Sequence, residues 1–232
     1  MKAVLLAAGL GTRLRPITDD VPKCLVPIGG IPLLEYWLRA FERYGVTDVL
    51  INTHYLAEQV VAFVESRSSS PKVALVHETE LLGSAGTVLA NRNWIAGDEA
   101  FIIAYADNLT NVNLADMVDS HRRSRPVATV GLFETEVPEQ CGVVEIDEAG
   151  TIWNFVEKSP RPPSRLANAG IYVASQAIFD WIPSGQPVDF GFDVFPRLSG
   201  QLKGYKLSAY FLDIGDLDRY QQAQADVQSV IF

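Results

Sequence analysis

The sequence predicts an α/β fold built on parallel strands, and three observations carry that expectation. Short apolar runs alternate with stretches of helical spacing through the first half, and the chain enters an apolar strand almost at once and leaves it through a glycine-rich turn. Apolar residues make up 48% of 232 residues, enough for a well-buried core. Such alternation implies βαβ units with right-handed crossovers, in which ligands gather beyond the carboxyl ends of the strands.

In order, the short apolar runs predict strands over 2–7, 47–52, 72–77 and 100–105, and the helical spacings between them predict helices over 32–44, 56–66, 84–93 and 113–124. After Arg125-Pro126 the pattern becomes β-rich, with runs at 127–133, 142–147, 151–157 and 168–174, which reads as a mixed sheet or an inserted hairpin subregion. A last helix over 216–228 places Leu217, Tyr220, Ala223 and Val227 roughly on one face. Ser66–Pro71 and Ser159–Ser164 read as turns rather than linkers, and no internal repeat is visible.

Bulk properties exclude several classes. A net charge of −9 argues against a nucleic-acid-binding surface, so local cations must hold any phosphate ligand. No apolar run approaches the ~18 residues of a membrane span, and no secretory core precedes the first strand, so a cytoplasmic protein is expected. Cys24 and Cys141 are isolated and read as reduced structural thiols; His54, His77 and His121 lack metal spacing. Trp37, Trp94, Trp153 and Trp181 read as packing residues.

The chemistry begins at Leu6-Ala7-Ala8-Gly9-Leu10-Gly11-Thr12-Arg13. Gly9 and Gly11 let the backbone turn its N–H groups toward an anion, and Arg13 and Lys23 add charge. Leu14 stands where a dinucleotide-binding G-x-G-x-x-G needs glycine, and the G-K-[ST] of a Walker loop is absent. Taken alone, the segment reads equally as a phosphate loop or as a tight turn with a solvated arginine.

The wider run Leu6–Pro16, continued by Pro22-Lys23-Cys24-Leu25-Val26-Pro27, resembles the sugar-1-phosphate nucleotidylyltransferases, closest in style to mannose-1-phosphate guanylyltransferase-like catalytic domains. Cys24 stands where that family usually has proline. The resemblance covers nearly the whole chain. It implies a three-layer α/β/α Rossmann-like fold with a mixed, mainly parallel central sheet, forming one catalytic domain over 1–232. A nucleotide-binding half would cover about 1–125 and a sugar-binding half about 126–232. Longer relatives add a carboxy-terminal hexapeptide-repeat β-helix, and this chain reads as the form without it.

By that resemblance, Leu6, Ala8, Gly9, Gly11, Thr12 and Arg13 cradle a nucleoside triphosphate. Arg13 stabilises the departing pyrophosphate and Lys23 contacts the α-phosphate. Asp107, at the end of Ile102-Ile103-Ala104-Tyr105-Ala106-Asp107-Asn108, and Asp213, in Tyr210-Phe211-Leu212-Asp213-Ile214-Gly215, match the family's Mg²⁺ positions; a hard divalent ion takes oxygen ligands and phosphate oxygens. Read alone, a strand-end aspartate is equally a helix cap or turn residue. Gly83, Ser84, Ala85 and Gly86 resemble the loop against base and ribose, although small residues opening a helix are also an ordinary turn.

Glu78 lies where several relatives read the base. A carboxylate accepts but cannot donate, which suits guanine N1–H and N2–H₂. The sugar phosphate would meet Asn108, Gly142, Glu157, Lys158, Asn168 and Gly170, with Lys158 on the phosphate and Glu157 accepting from hydroxyls. Alone, Lys158 reads as a surface lysine and Asn168 as a turn residue. Asp193, in Phe192-Asp193-Val194-Phe195-Pro196, is expected to be structural.

The expected substrates are therefore an NTP and a hexose or heptose 1-phosphate, with GTP and a mannose-like sugar ahead of UTP, CTP or dTTP with a glucose-like sugar. Neither nucleic acid nor membrane is expected as a partner, and homo-oligomerisation is left open. The rival reading is a non-catalytic nucleotide-sugar sensor that kept the fold.

Overall fold

Val4, Leu5 and Leu6 are nearly or wholly removed from solvent, and around them the first half of the chain takes its predicted order. The computed structural model describes residues 1–185 and 187–230. The chain divides into two units, one of Met1–Leu81, Ala104–Asn113 and Ala209–Phe232, the other of Leu82–Ile103 and Leu114–Ser208.

In the first unit, strands Lys2–Leu6, Asp48–Thr53 and Lys72–His77 pair in parallel, with Leu5 opposite Ile51 and Ile51 opposite Leu75. Helix Leu33–Arg43 buries Leu33, Leu34, Trp37, Leu38 and Phe41, the stripe of a 3.6-residue repeat, and helix Ala57–Glu65 follows the second strand. A short antiparallel pair joins Asn108–Thr110 to Phe211–Asp213. Asp216 caps the last helix, Leu217–Asp226, by accepting from the Arg219 N–H at 2.9 Å. Its predicted apolar face is only partly sunk: Ala223 is buried, Tyr220 and Val227 pack at the edge of the core, and Leu217 stays exposed in the first turn.

The second unit is mixed. Strand Ala128–Glu134 pairs antiparallel with Leu166–Ser175 and parallel with Leu202–Lys206. Beyond Leu202–Lys206 lie Thr151–Glu157 and Gly142–Ile146, both antiparallel, and Ala167 opposite Val143 closes the strand order on itself. The mixed sheet expected from the sequence is present.

Several short elements escape the sequence pattern. Leu202–Lys206 carries two lysines and a glycine and buries only Leu202 fully, so its period is weak. Asn108–Thr110 and Phe211–Asp213 are only three residues each. The helix expected over 84–93 stops at Ala90 and a separate turn spans Arg92–Ile95, because Asn91 leaves helical geometry at φ −103°.

Candidate nucleotide and sugar-phosphate sites

In the first unit, strand Lys2–Leu6 ends in a loop anchored from a neighbouring strand: Ala7 N–H donates to Asn52 Oδ1 at 2.7 Å. Gly11 takes φ +65°, and a Cβ there would lie 2.9 Å from Thr18 Cγ2 and 3.2 Å from Lys23 Cβ, so both its conformation and its neighbours demand glycine. Thr18 Oγ1 donates to the Gly11 carbonyl at 2.7 Å and fixes the turn. Gly9, by contrast, is exposed and faces open space. Ala8 is buried, whereas Thr12 and Arg13 are exposed on the one-turn helix Thr12–Leu14, which buries Leu14.

The acids reach this loop through backbone bonds. Ala106 N–H donates to the Leu6 carbonyl at 3.0 Å, which sets the Asp107 turn beside the end of the first strand. Asp213 pairs with Asn108, and Ile214 N–H donates to the Asp107 carbonyl at 2.9 Å. Two aspartates far apart in sequence are thereby brought together. Lys23 Nζ donates to Asp107 Oδ2 at 2.5 Å. A Cβ on Gly215 would lie 3.2 Å from both an Arg13 guanidinium nitrogen and Asp213 Oδ2, so cation and acid crowd the same glycine. Burial, then the charge of Asp107, raises the Asp213 carboxyl above its ordinary range, while Lys23, Arg219 and Arg13 oppose the shift.

Two hard carboxylates beside a phosphate-type loop suit a divalent cation that draws its remaining ligands from phosphate and water. Among the described residues, no group of three or more His, Cys, Asp and Glu side chains forms a metal cluster. Cys24 is buried and its thiol is pushed up to about 12, chiefly by desolvation, so it is an inert neighbour of Lys23. Asn108 is buried, and its carbonyl accepts from Trp37 Nε1 at 2.9 Å.

Glu78 is buried, and its Oε1 accepts from Asn52 Nδ2 at 2.9 Å. Asn52 therefore ties Glu78 to the glycine loop, a link the sequence reading missed. The available signal was a polar residue closing the apolar run Val49-Leu50-Ile51. His54 Nδ1 lies 2.7 Å from the Glu78 carbonyl oxygen, and the His54 ring stacks on His77.

In the second unit, the segment Gly83-Ser84-Ala85-Gly86 is locked to residues 188–190. A Cβ on Gly83 would fall 2.3 Å from the Val188 carbonyl oxygen, and that oxygen accepts from Ala85 and Gly86 N–H at 3.0 and 3.1 Å. Ser84 Oγ donates to Asp189 Oδ2 at 2.7 Å and accepts from Phe190 N–H at 2.9 Å. Asp189 was not anticipated, because it lies in a turn with no periodic pattern around it. Asp193 has the structural role expected of it, its Oδ2 accepting from Asp189 N–H at 2.7 Å.

Gly142 stands opposite Glu157 in the antiparallel register. A Cβ on Gly142 would lie 2.2 Å from Glu157 Oε2, and one on Gly191 would lie 2.3 Å from it, so the carboxyl sits in a cradle of two glycines. Burial pushes Glu157 up to about 7; Lys158 opposes the shift and Asp189 adds to it. Lys158 takes a left-handed φ of +46°, uncommon for a side chain with a Cβ. Asn168 Nδ2 donates to Tyr172 Oη at 2.9 Å and its Oδ1 accepts from Gly170 N–H at 2.9 Å, which holds a bulge that leaves half of the amide's hydrogen-bonding capacity. Gly170 has φ +66° there.

The family model described as nucleotidyl transferase matches residues 2–230. The chain belongs to the nucleotidyl transferase family. One nucleotidyl transferase relative, a UTP–glucose-1-phosphate uridylyltransferase of Synechocystis, is 34% identical over 99% of this chain and 64% of its own length. A mannose-1-phosphate guanylyltransferase of Mycobacterium tuberculosis is 32% identical over 97% of this chain and 64% of its own. The chain thus spans less than two thirds of these curated relatives. Among solved structures, a putative glucose-1-phosphate thymidylyltransferase from Bacillus anthracis, in complex with a sucrose, superposes with TM-score 0.88 at 25% identity, over 100% of this chain and 97% of that one. HddC from Yersinia pseudotuberculosis, complexed with GMP-PN, does so with TM-score 0.81 at 28% identity, over 97% and 99%. The fold is the Rossmann-like α/β fold with a mixed sheet that these nucleotidyl transferases share. No helix among the described residues is long and apolar enough to cross a membrane.

Proposed function

We propose that residues 1–232 act as one catalytic domain that transfers a nucleoside monophosphate from an NTP to a sugar 1-phosphate and releases pyrophosphate. The observation that carries this reading is the convergence of Arg13, Lys23, Asp107 and Asp213 at the end of the first strand, beside a glycine loop that keeps open space at Gly9. Attack by one phosphate on another must overcome mutual repulsion, and positioned cations do most of that work. In this reading Gly9–Arg13 receives the triphosphate, Arg13 faces the leaving pyrophosphate and Lys23 the α-phosphate. Lys158 takes the sugar phosphate, and Glu157 receives hydroxyls. The sugar phosphate is ionised at neutral pH, so no general base is needed. Mg²⁺ held by Asp107 and Asp213 would neutralise charge on the phosphates.

For the base and sugar, the reading favours GTP with a mannose-like 1-phosphate. The guanylyltransferase relative and the neighbour complexed with GMP-PN support it; Glu78, the acceptor the reading assigns to guanine, already gives one oxygen to Asn52. The uridylyltransferase relative keeps UTP with a glucose-like sugar as the competing pair. Pyrophosphate release measured across four NTPs and a panel of sugar 1-phosphates decides. Turnover should peak with GTP and a mannose-like substrate; a peak with UTP overturns the base assignment. Nucleotide binding without turnover in any pair leaves only a sensor.

A further inference from the structure

Phe192 is 57% exposed, more than any other large apolar side chain among the described residues, yet its backbone is firmly held. Asp189 Oδ1 accepts from Gly191 and Phe192 N–H at 2.8 and 3.3 Å, and the bonds of Ser84 and Asp193 fix Asp189 itself. On either side, Phe190 and Phe195 are buried against each other and against Tyr172. An apolar ring kept in water forfeits the stabilisation that burial would bring. A turn so heavily anchored could have turned a polar residue outward at no such loss.

Three groups share the patch around the ring. Lys158 Nζ lies 5.9 Å from the ring centroid, a cation placed over an aromatic face. Its backbone holds the uncommon left-handed conformation, the kind of local strain that clusters at ligand sites. Gly191, next to Phe192 in sequence, faces the Glu157 carboxyl, where a Cβ would fall 2.3 Å from Glu157 Oε2. A flat apolar face, an ammonium and a carboxyl together complement one kind of molecule: a pyranose has an apolar C–H face, hydroxyls at its rim and, as a 1-phosphate, a dianion at one end.

We propose that Phe192 is a substrate-contacting, specificity-determining wall of the sugar 1-phosphate subsite, its ring packing against the C–H face of the sugar whose hydroxyls meet Glu157 and whose phosphate meets Lys158. This inference rests on the nucleotidyl-transfer reading of the same site. It makes sugar selection a matter of which pyranoses turn a continuous C–H face to the ring, with axial hydroxyls on that face excluded.

The test compares wild type, Phe192→Ala and Phe192→Trp, with KM for the sugar 1-phosphate and KM for the NTP determined separately. Phe192→Ala should raise the sugar KM by roughly ten-fold and leave the NTP KM within about two-fold, as expected when a contact to one substrate alone is lost. Its Tm should be unchanged, and Phe192→Trp should restore most of the sugar affinity. An unchanged sugar KM, or a parallel rise of both KM values, overturns the proposal. So does a variant that changes only oligomeric state in size-exclusion chromatography, which would make the ring an interface residue. If wild type turns over no substrate pair, the nucleotidyl-transfer reading fails by itself. Calorimetry with mannose 1-phosphate and glucose 1-phosphate then decides the wall: binding by wild type that Phe192→Ala weakens sustains it, and equal or absent binding removes it.

Discussion

Lys23 Nζ lies 2.5 Å from Asp107 Oδ2, joining the segment after the glycine loop to the turn beyond strand Ala100–Tyr105. Each partner orients the other, so neither charge is free to follow solvent. Asp107→Asn keeps the size of the side chain and removes its charge. It should lower Mg²⁺-dependent turnover by about 10³-fold, the scale of a lost electrostatic partner in a reacting centre, with at most a small loss in Tm, because the mostly buried Lys23 loses its partner while Asp213 is relieved of a neighbouring charge. Steady-state rates titrated with Mg²⁺ check this, and near-normal rates would remove Asp107 from the metal position.

Asn52 serves two masters, accepting from Ala7 N–H and donating to Glu78. Asn52→Ala leaves a loop amide and a buried carboxylate each without this partner, at a cost of about 1–3 kcal/mol per group. The variant should lose several degrees in Tm and raise the KM for NTP more than that for the sugar phosphate. Thermal unfolding combined with two-substrate kinetics reads both effects. A Tm loss with an unmoved NTP KM would confine Asn52 to stability.

The glycines of the two sites should respond oppositely to alanine. At Gly9 a methyl group meets nothing, so Gly9→Ala should fold normally and lose only NTP affinity. At Gly142 the same methyl falls 2.2 Å from Glu157 Oε2 and 3.0 Å from Phe155 Cζ, and Gly142→Ala should lower Tm as well as sugar-phosphate affinity. Paired melting curves and KM values distinguish the two, and a Tm loss for Gly9→Ala would contradict the open space beside it.

Glu157 supplies a pH dependence. Its carboxyl titrates near 7 in the folded chain and at its ordinary, lower value when unfolded, so folding favours the protonated form. That contribution is complete below the unfolded value and is lost as pH rises through about 7. Glu157→Gln stays neutral throughout, so relative to wild type it should gain stability between pH 5 and 8. Each kcal/mol should appear as about 2–4 °C in Tm. A constant Tm difference across that range would show that Glu157 titrates normally.

The residues legible in the sequence are those at the ends of strongly apolar strands. Gly9, Gly11 and Asp107 stand there, and the apolar runs place each strand end within one residue: the first strand, expected over 2–7, stops at Leu6, and Ala100–Tyr105 stops where expected. Lys158 and Glu157 were singled out only through the family resemblance, and their proposed role rests on it. Asn52 and Asp189 were not, because their importance lies in which distant backbone amide they reach, and hydrophobic periodicity carries nothing about such partners. The pairing of Asp213 with Asn108 was hidden for a related reason: three-residue strands are too short to show a period.

The bond between Ser84 and Asp189 bears on how such chains diversify. Residues 82–86 and 188–193 are stitched together by the Val188 carbonyl, the Ser84 hydroxyl and the absence of a side chain at Gly83. A chimera that imports residues 188–194 from a relative must import residues 82–86 as well. Divergence at either segment alone is penalised by the other, so the two are expected to be exchanged as a single cassette.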